Sequence, residues 1–110
     1  MTVVVPEKIK TATTVLARAY ELLEQGWCQH RYRVILEGYT SYCLSGAIYA
    51  AGNSDSEECI TVTDEIRTAV DQIVRTLGTS FIATWNDTPG RTQKEVLALV
   101  KDAIDADEEA

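Results

Sequence analysis

The stretch "WNDTPGRTQKEV", from Trp85 to Val96, gathers the most chemically capable side chains in the sequence. Trp85 offers a flat wall, Asn86 and Asp87 offer hydrogen-bond acceptors, and Arg91 offers a guanidinium that can hold an anion. A second candidate is Cys43. At the start of a helix its thiolate would be favoured, and His30, the single histidine, would have to serve as its base. A third is "HRYR" at residues 30–33, where Arg31 and Arg33, with Tyr32 and Tyr39, can stack on or clamp a nucleotide. The candidate binding residues are Trp27, Arg31, Cys43, Trp85, Asn86, Asp87 and Arg91. None is assigned a catalytic role.

Each candidate also has a purely structural use. Thr88, Pro89 and Gly90 suit a tight turn, with proline at the first central position and glycine at the second. Asn86 or Asp87 can accept from backbone N–H groups two residues on. Arg91 can pair with Asp87 or reach back to carbonyls of the preceding helix. A buried cysteine is commonly a small apolar residue. Two arginines make a thin patch on an acidic protein, and they can pair with its own acids. The structural use is the favoured one in all three places.

Other chemistry is absent from the sequence. It has no phosphate-binding glycine loop and no GxSxG motif. Cys28, Cys43 and Cys59 are widely spaced with no CxxC pair, which argues against zinc, and no cofactor is expected. The apolar run in "MTVVVPEKIK" is too short for a membrane span or a signal peptide, so reduced thiols in a cytoplasm are expected.

The 110 residues suffice for one core. The net charge of −7 is unevenly spread: residues 1–55 balance five acids with five bases, and the remainder carries twelve acids against five bases. That half would repel a phosphate backbone, unless it acts as an acidic DNA mimic.

The elements that must position these residues follow from periodicity. A first helix starts near Pro6 and Glu7, carries Ile9, Ala12, Val15, Leu16, Ala19, Leu22 and Leu23 inward, and stops at a left-handed Gly26 with Trp27 folded back on it. A short hairpin turns near Glu37 and Gly38, the alternative being an ordered loop that crosses between helices. A helix of small residues, capped by Thr40 or Ser41 and stopped by Gly52, buries Leu44, Ala47, Ile48 and Ala51, with Gly46 admitting a close neighbour. Thr63 or Thr61 caps a third helix that buries Ile66, Val70, Ile73, Val74 and Leu77 and ends at Gly78. Thr79 or Ser80 caps a short helix that buries Phe81, Ile82 and Trp85. Thr92 and Glu95 have the spacing of a capping box for a last helix through Val96, Leu97, Leu99, Val100, Ala103 and Ile104. The fold expected is mainly α, or α+β. It is a compact bundle of about four to five helices with a short β-hairpin near residues 31–42. Residues 1–104 form a single helical domain and 105–110 an acidic, frayed tail, since acids oppose the dipole at a helix C-terminus.

The segments "ELLEQGW", "CLSGAIYAAG" and "WNDTPGRTQKEVLALVKDAI" occur in that order, and together they resemble a family of small proteins of unknown function from actinobacteria and their phages. Its members pair a "C-A-L-G-A" type helix with a "W-N-D-x-P-G-R-T-x-x-E-V" ending. The resemblance runs from about Ile9 to Ile104. Ser45 and the aromatic hairpin depart from the pattern. The resemblance implies a soluble helical domain in an actinobacterial or phage setting, and no activity.

The function expected is that of a small cytoplasmic accessory protein acting by contact with a protein partner, with a homo-oligomer left open. The alternatives are a small-ligand protein or enzyme using Cys43, His30 and the Trp85–Arg91 loop, or a nucleic-acid-directed protein. No membrane partner is expected, and nucleic acid is disfavoured.

Overall fold

A computed structural model describes residues 7–53 and 62–109, with side chains from Thr14 to Asn53 and from Val62 to Ala106. The expectations for Pro6, Cys59 and Thr61 lie outside those residues, and those for Ile9 and Ala12 outside the described side chains. The order is α1 (Glu7–Gln25), β1 (Arg33–Leu36), β2 (Tyr39–Tyr42), α2 (Leu44–Gly52), α3 (Asp64–Leu77), α4 (Ile82–Asn86) and α5 (Gln93–Glu109). The chain is mainly α, with one antiparallel hairpin, as its periodicities predict.

The hub is α1, against which α2, α3 and α5 all pack. Val15, Leu16, Ala19 and Leu23 supply its buried stripe. They meet Leu44, Ala47 and Ile48 of α2, Ile66, Ala69 and Ile73 of α3, and Val96, Leu99, Val100 and Ala103 of α5. Each fully buried leucine or isoleucine contributes about 1.5–3 kcal/mol to this core. Ala51, Val70, Val74, Leu77, Leu97 and Ile104 pack partly buried at its margin.

Gly26 follows α1, but its φ is not left-handed. Its requirement is steric: a Cβ would meet the Ser41 Oγ at 2.5 Å and the Thr40 carbonyl oxygen at 3.1 Å. The carbonyls at the end of α1 are met from far along the chain, with Gln93 Nε2 donating to the Leu23 oxygen at 2.7 Å. Trp27 leaves the helix to form a parallel bridge with Tyr42 at the base of the hairpin. In the hairpin Arg33 faces Tyr42, Val34 faces Ser41, Ile35 faces Thr40 and Leu36 faces Tyr39. Its turn needs a positive φ at Gly38 alone (86°).

Helix starts differ from expectation at two places. Thr40 and Ser41 are strand residues, and Cys43 caps α2, its Sγ accepting from Gly46 N at 3.3 Å. Gly52 is the last residue of α2, not its stop; a Cβ there would collide with Ile66, and Asn53 forms the C-cap. The other departure is α4, which starts after Phe81 with no side-chain cap. Thr79 Oγ1 accepts only from Phe81 N, one residue too early to cap the helix. Phe81 is 71% exposed rather than buried, because the cap position turns it away from the face that Ile82 presents to the core. Thr63 caps α3, accepting from Ile66 N at 3.2 Å, and Gly78 closes it. The last helix continues through Glu109.

Candidate functional site

The seven candidate residues separate into a cleft and a clamp. The cleft is open and shallow, about 290 Å³, and lined by His30, Arg31, Tyr32, Cys43, Ser45, Ala83, Asn86 and Asp87. Arg31, Cys43, Asn86 and Asp87 therefore share one surface. Trp27 does not line it. Trp85 and Arg91 do not line it and form a separate pair.

Asn86, at the end of α4, is completely buried. Its Oδ1 accepts from Trp27 Nε1 at 2.8 Å and from Leu44 N at 3.1 Å. Its Nδ2 donates to the Cys28 carbonyl at 3.2 Å and to Asp87 Oδ1 at 3.0 Å. A primary amide can accept two bonds and donate two, so this group is saturated. The sequence suggested an Asx turn, with acceptors serving N–H groups two residues away. Asn86 and Asp87 instead reach residues 27–30 and the start of α2, because burial at the end of α4 aims Asn86 inward.

Asp87 Oδ1 also accepts from His30 N at 2.8 Å, and its Oδ2 lies 3.8 Å from His30 Nδ1. His30 has a φ of 65°, a left-handed backbone that costs a non-glycine residue about 1–2 kcal/mol. The bond from its N–H to a carboxylate offsets that strain. The His30 N–H, and then the Asn86 amide, hold the Asp87 carboxyl below its ordinary range. Gln29, which no local spacing marks, donates from Nε2 to the carbonyls of Asn86 and Thr88, each at 3.0 Å.

The chemistry this cleft can perform is limited by its thiols. Burial pushes Cys43 up, outweighing the lowering by the Gly46 N–H, and the Asp87 charge raises it further. Cys28 is also raised, by burial first and then by Cys43. A helix start alone would favour the thiolate; here burial and a neighbouring carboxylate oppose it. Among the described residues no hydrogen bond joins His30 to Cys43, so the nucleophile–base pair is not assembled, and no group of side chains has the arrangement of a metal site. Tyr32 is stacked on Tyr49 with ring centroids 6.1 Å apart, and burial pushes its hydroxyl up to about 12. That aromatic face is already occupied. Among the described residues neither Arg31 nor Arg33 forms the ion pair with the protein's own acids that the sequence suggested.

The clamp lies at the start of α5. Thr88 O accepts from Arg91 N at 3.0 Å across the Pro89–Gly90 turn, with Gly90 at a φ of 86°. Arg91 does not pair with Asp87, whose acceptors serve His30 and Asn86. Its guanidinium carbon lies 4.0 Å from the Trp85 ring centroid, its Nε donates to the Trp85 carbonyl at 3.0 Å, and its Nη1 reaches Glu95 at 3.2 Å. Glu95 completes the capping box, accepting from Thr92 N at 3.0 Å while its own N–H donates to Thr92 Oγ1 at 3.2 Å. These N–H and hydroxyl donors of Thr92 hold its carboxyl below its usual range.

The model of a family of unknown function (DUF6197) matches residues 8–106, which takes in the cleft, the clamp and the hairpin. The chain belongs to this family. No curated protein and no solved structure matches it. Family membership therefore agrees with the sequence resemblance at the level of an uncharacterised family. Among the described residues no helix is long and apolar enough to cross a membrane.

Proposed function

We propose that this member of the family is a small accessory protein that binds a protein partner, and that its binding element is the β1–β2 hairpin. One observation carries the reading. Of the five large hydrophobic side chains exposed among the described residues, three sit within five residues of one another: Ile35 at 64%, Leu36 at 49% and Tyr39 at 50%. Scattered exposed apolar residues need no explanation, but three at the tip of one hairpin, on both of its faces and beside an edge unpaired among the described residues, mark a contact surface. Among the described residues β1 is hydrogen-bonded to β2 alone, so its other edge can accept an added strand. Cytoplasmic action in an actinobacterial or phage setting accompanies this reading, supported by the sequence resemblance.

Small-ligand catalysis has weaker support. The cleft is shallow, its thiols are held protonated, and Trp85 and Arg91 face elsewhere. The test is an Ile35→Lys, Leu36→Lys double variant. Both positions are exposed, so thermal stability should stay near wild type. Affinity capture with wild-type protein should recover a stoichiometric partner, this chain itself included, that the variant fails to recover. Equal recovery by both proteins would overturn the hairpin as the binding element.

A further inference from the structure

The hairpin reading leaves the partner's chemistry open; resting on that reading, we propose that the partner is a second copy of this chain, joined β1 to β1 antiparallel about a two-fold axis at Ile35. The argument begins with which backbone groups of β1 remain available. A two-residue turn closes on a hydrogen-bonded pair, here Leu36 and Tyr39, and hydrogen-bonded and non-hydrogen-bonded pairs then alternate along the ladder. Leu36 and Val34 therefore direct their N–H and C=O groups to β2. Arg33 and Ile35 direct theirs to the open edge. An antiparallel pair centred on a residue that points outward exchanges two hydrogen bonds between the identical residues, and Ile35 is the outward residue in the middle of the apolar run.

Side chains select the same register. Residues 33–37 read Arg-Val-Ile-Leu-Glu, with a base at one end, an acid at the other and three apolar residues between. Paired with its own copy about Ile35, Arg33 at the start of each β1 comes to Glu37, the turn residue just past the end of the other β1, and Ile35 faces Ile35. On the opposite side Val34 faces Leu36, beside the exposed Tyr39. Opposite charges brought together at the ends of an antiparallel pair stabilise it, and like charges destabilise it. Among the described residues neither Arg33 nor Glu37 forms an ion pair within its own chain, so both charges remain for the partner. The result is an isologous four-stranded sheet in the order β2–β1–β1–β2 across the two copies, which closes the free edge. Five residues from each chain make a small contact, so the dimer is weak and reversible.

Light scattering on a sizing column over a concentration series tests this. Wild-type protein should move from 12.2 kDa toward twice that mass as concentration rises. Arg33→Glu brings Glu to Glu and should weaken the dimer about tenfold or more. Glu37→Arg should do the same. The double variant, Arg33→Glu with Glu37→Arg, should restore wild-type association, because the charges again alternate across the pair. The three variants change only surface charge, and melting temperatures equal to wild type will show that each is folded. A monomer at every concentration, or a dimer indifferent to the charge swaps, would overturn the proposal. Either result leaves the hairpin reading intact if the Ile35→Lys, Leu36→Lys variant still loses a heterologous partner. Failure of that variant to lose any partner removes the hairpin reading itself.

Discussion

The indole Nε1 of Trp27 donates to Asn86 Oδ1 at 2.8 Å, joining residues 59 positions apart. The bond fixes the segment after α1 to the end of α4. The same oxygen holds the first N–H of α2, so one side chain positions three elements. The cleft takes its shape from this junction.

Asn86→Ala should lower stability by about 3 kcal/mol or more, since it strands the Trp27 indole, the Leu44 N–H and the Cys28 carbonyl without partners. Trp27→Phe removes one donor and should cost about 1–2 kcal/mol. Urea unfolding measures both. A loss below about 1 kcal/mol for Asn86→Ala would show that solvent reaches these groups.

Arg91 is held by its stack on Trp85 and its bond to the Trp85 carbonyl, with its side chain 18% exposed. Arg91→Ala should cost about 2 kcal/mol in the same experiment. Arg91→Lys should recover little, because an ammonium can neither stack as a plane nor donate along the fixed direction of Nε. Recovery to wild-type stability by lysine would mean that charge alone matters.

The Asp87 carboxyl is held below its ordinary value of 3.8 in the folded chain. Its folded-state pKa is depressed, so its stabilisation is complete above the unfolded value of 3.8 and is lost as pH falls from there through the folded pKa. Melting temperatures followed from neutral pH into acid should drop more steeply for wild type than for Asp87→Asn. Glu95, also lowered, accounts for part of the slope that remains. Parallel curves for the two proteins would show that Asp87 has no linkage to folding.

Gly46→Ala sets two effects against each other. Alanine favours the helix by about 1 kcal/mol. The added methyl would run into the Tyr32 carbonyl oxygen, a backbone atom with little room to give. Overpacking of this kind costs about 1–3 kcal/mol, so the net change should be destabilising. A more stable Gly46→Ala protein in thermal melts would contradict the close approach.

Much of the fold was legible because its cues are local. The α1 stripe, the turn at Glu37 and Gly38, the Thr63 cap and the Thr92–Glu95 box depend on residues within one or two turns of each other. Errors arose where a local cue met a tertiary demand. The hydroxyls of Thr40 and Ser41 suit a cap, but hairpin pairing claimed both and left the task to Cys43. Gly26 resembles a helix stop, whereas the need is room for Ser41. The candidate site was legible as residue types but not as a place. Arg31, Cys43, Asn86 and Asp87 share the cleft lining, while Trp85 and Arg91, next to them in sequence, form a separate pair. Helix α4 turns Asn86 inward and leaves Trp85 on another side. No local spacing marks Gln29 or Gln93, because their acceptors lie 57 to 70 residues away.

The Leu44 amide bonds to a side chain 42 residues further along, not to a carbonyl one turn back. Fraying of α2 alone does not release it. Exchange of this hydrogen with solvent therefore reports the parting of α2 from α4, and its protection measures how cooperatively the two halves of the chain hold together.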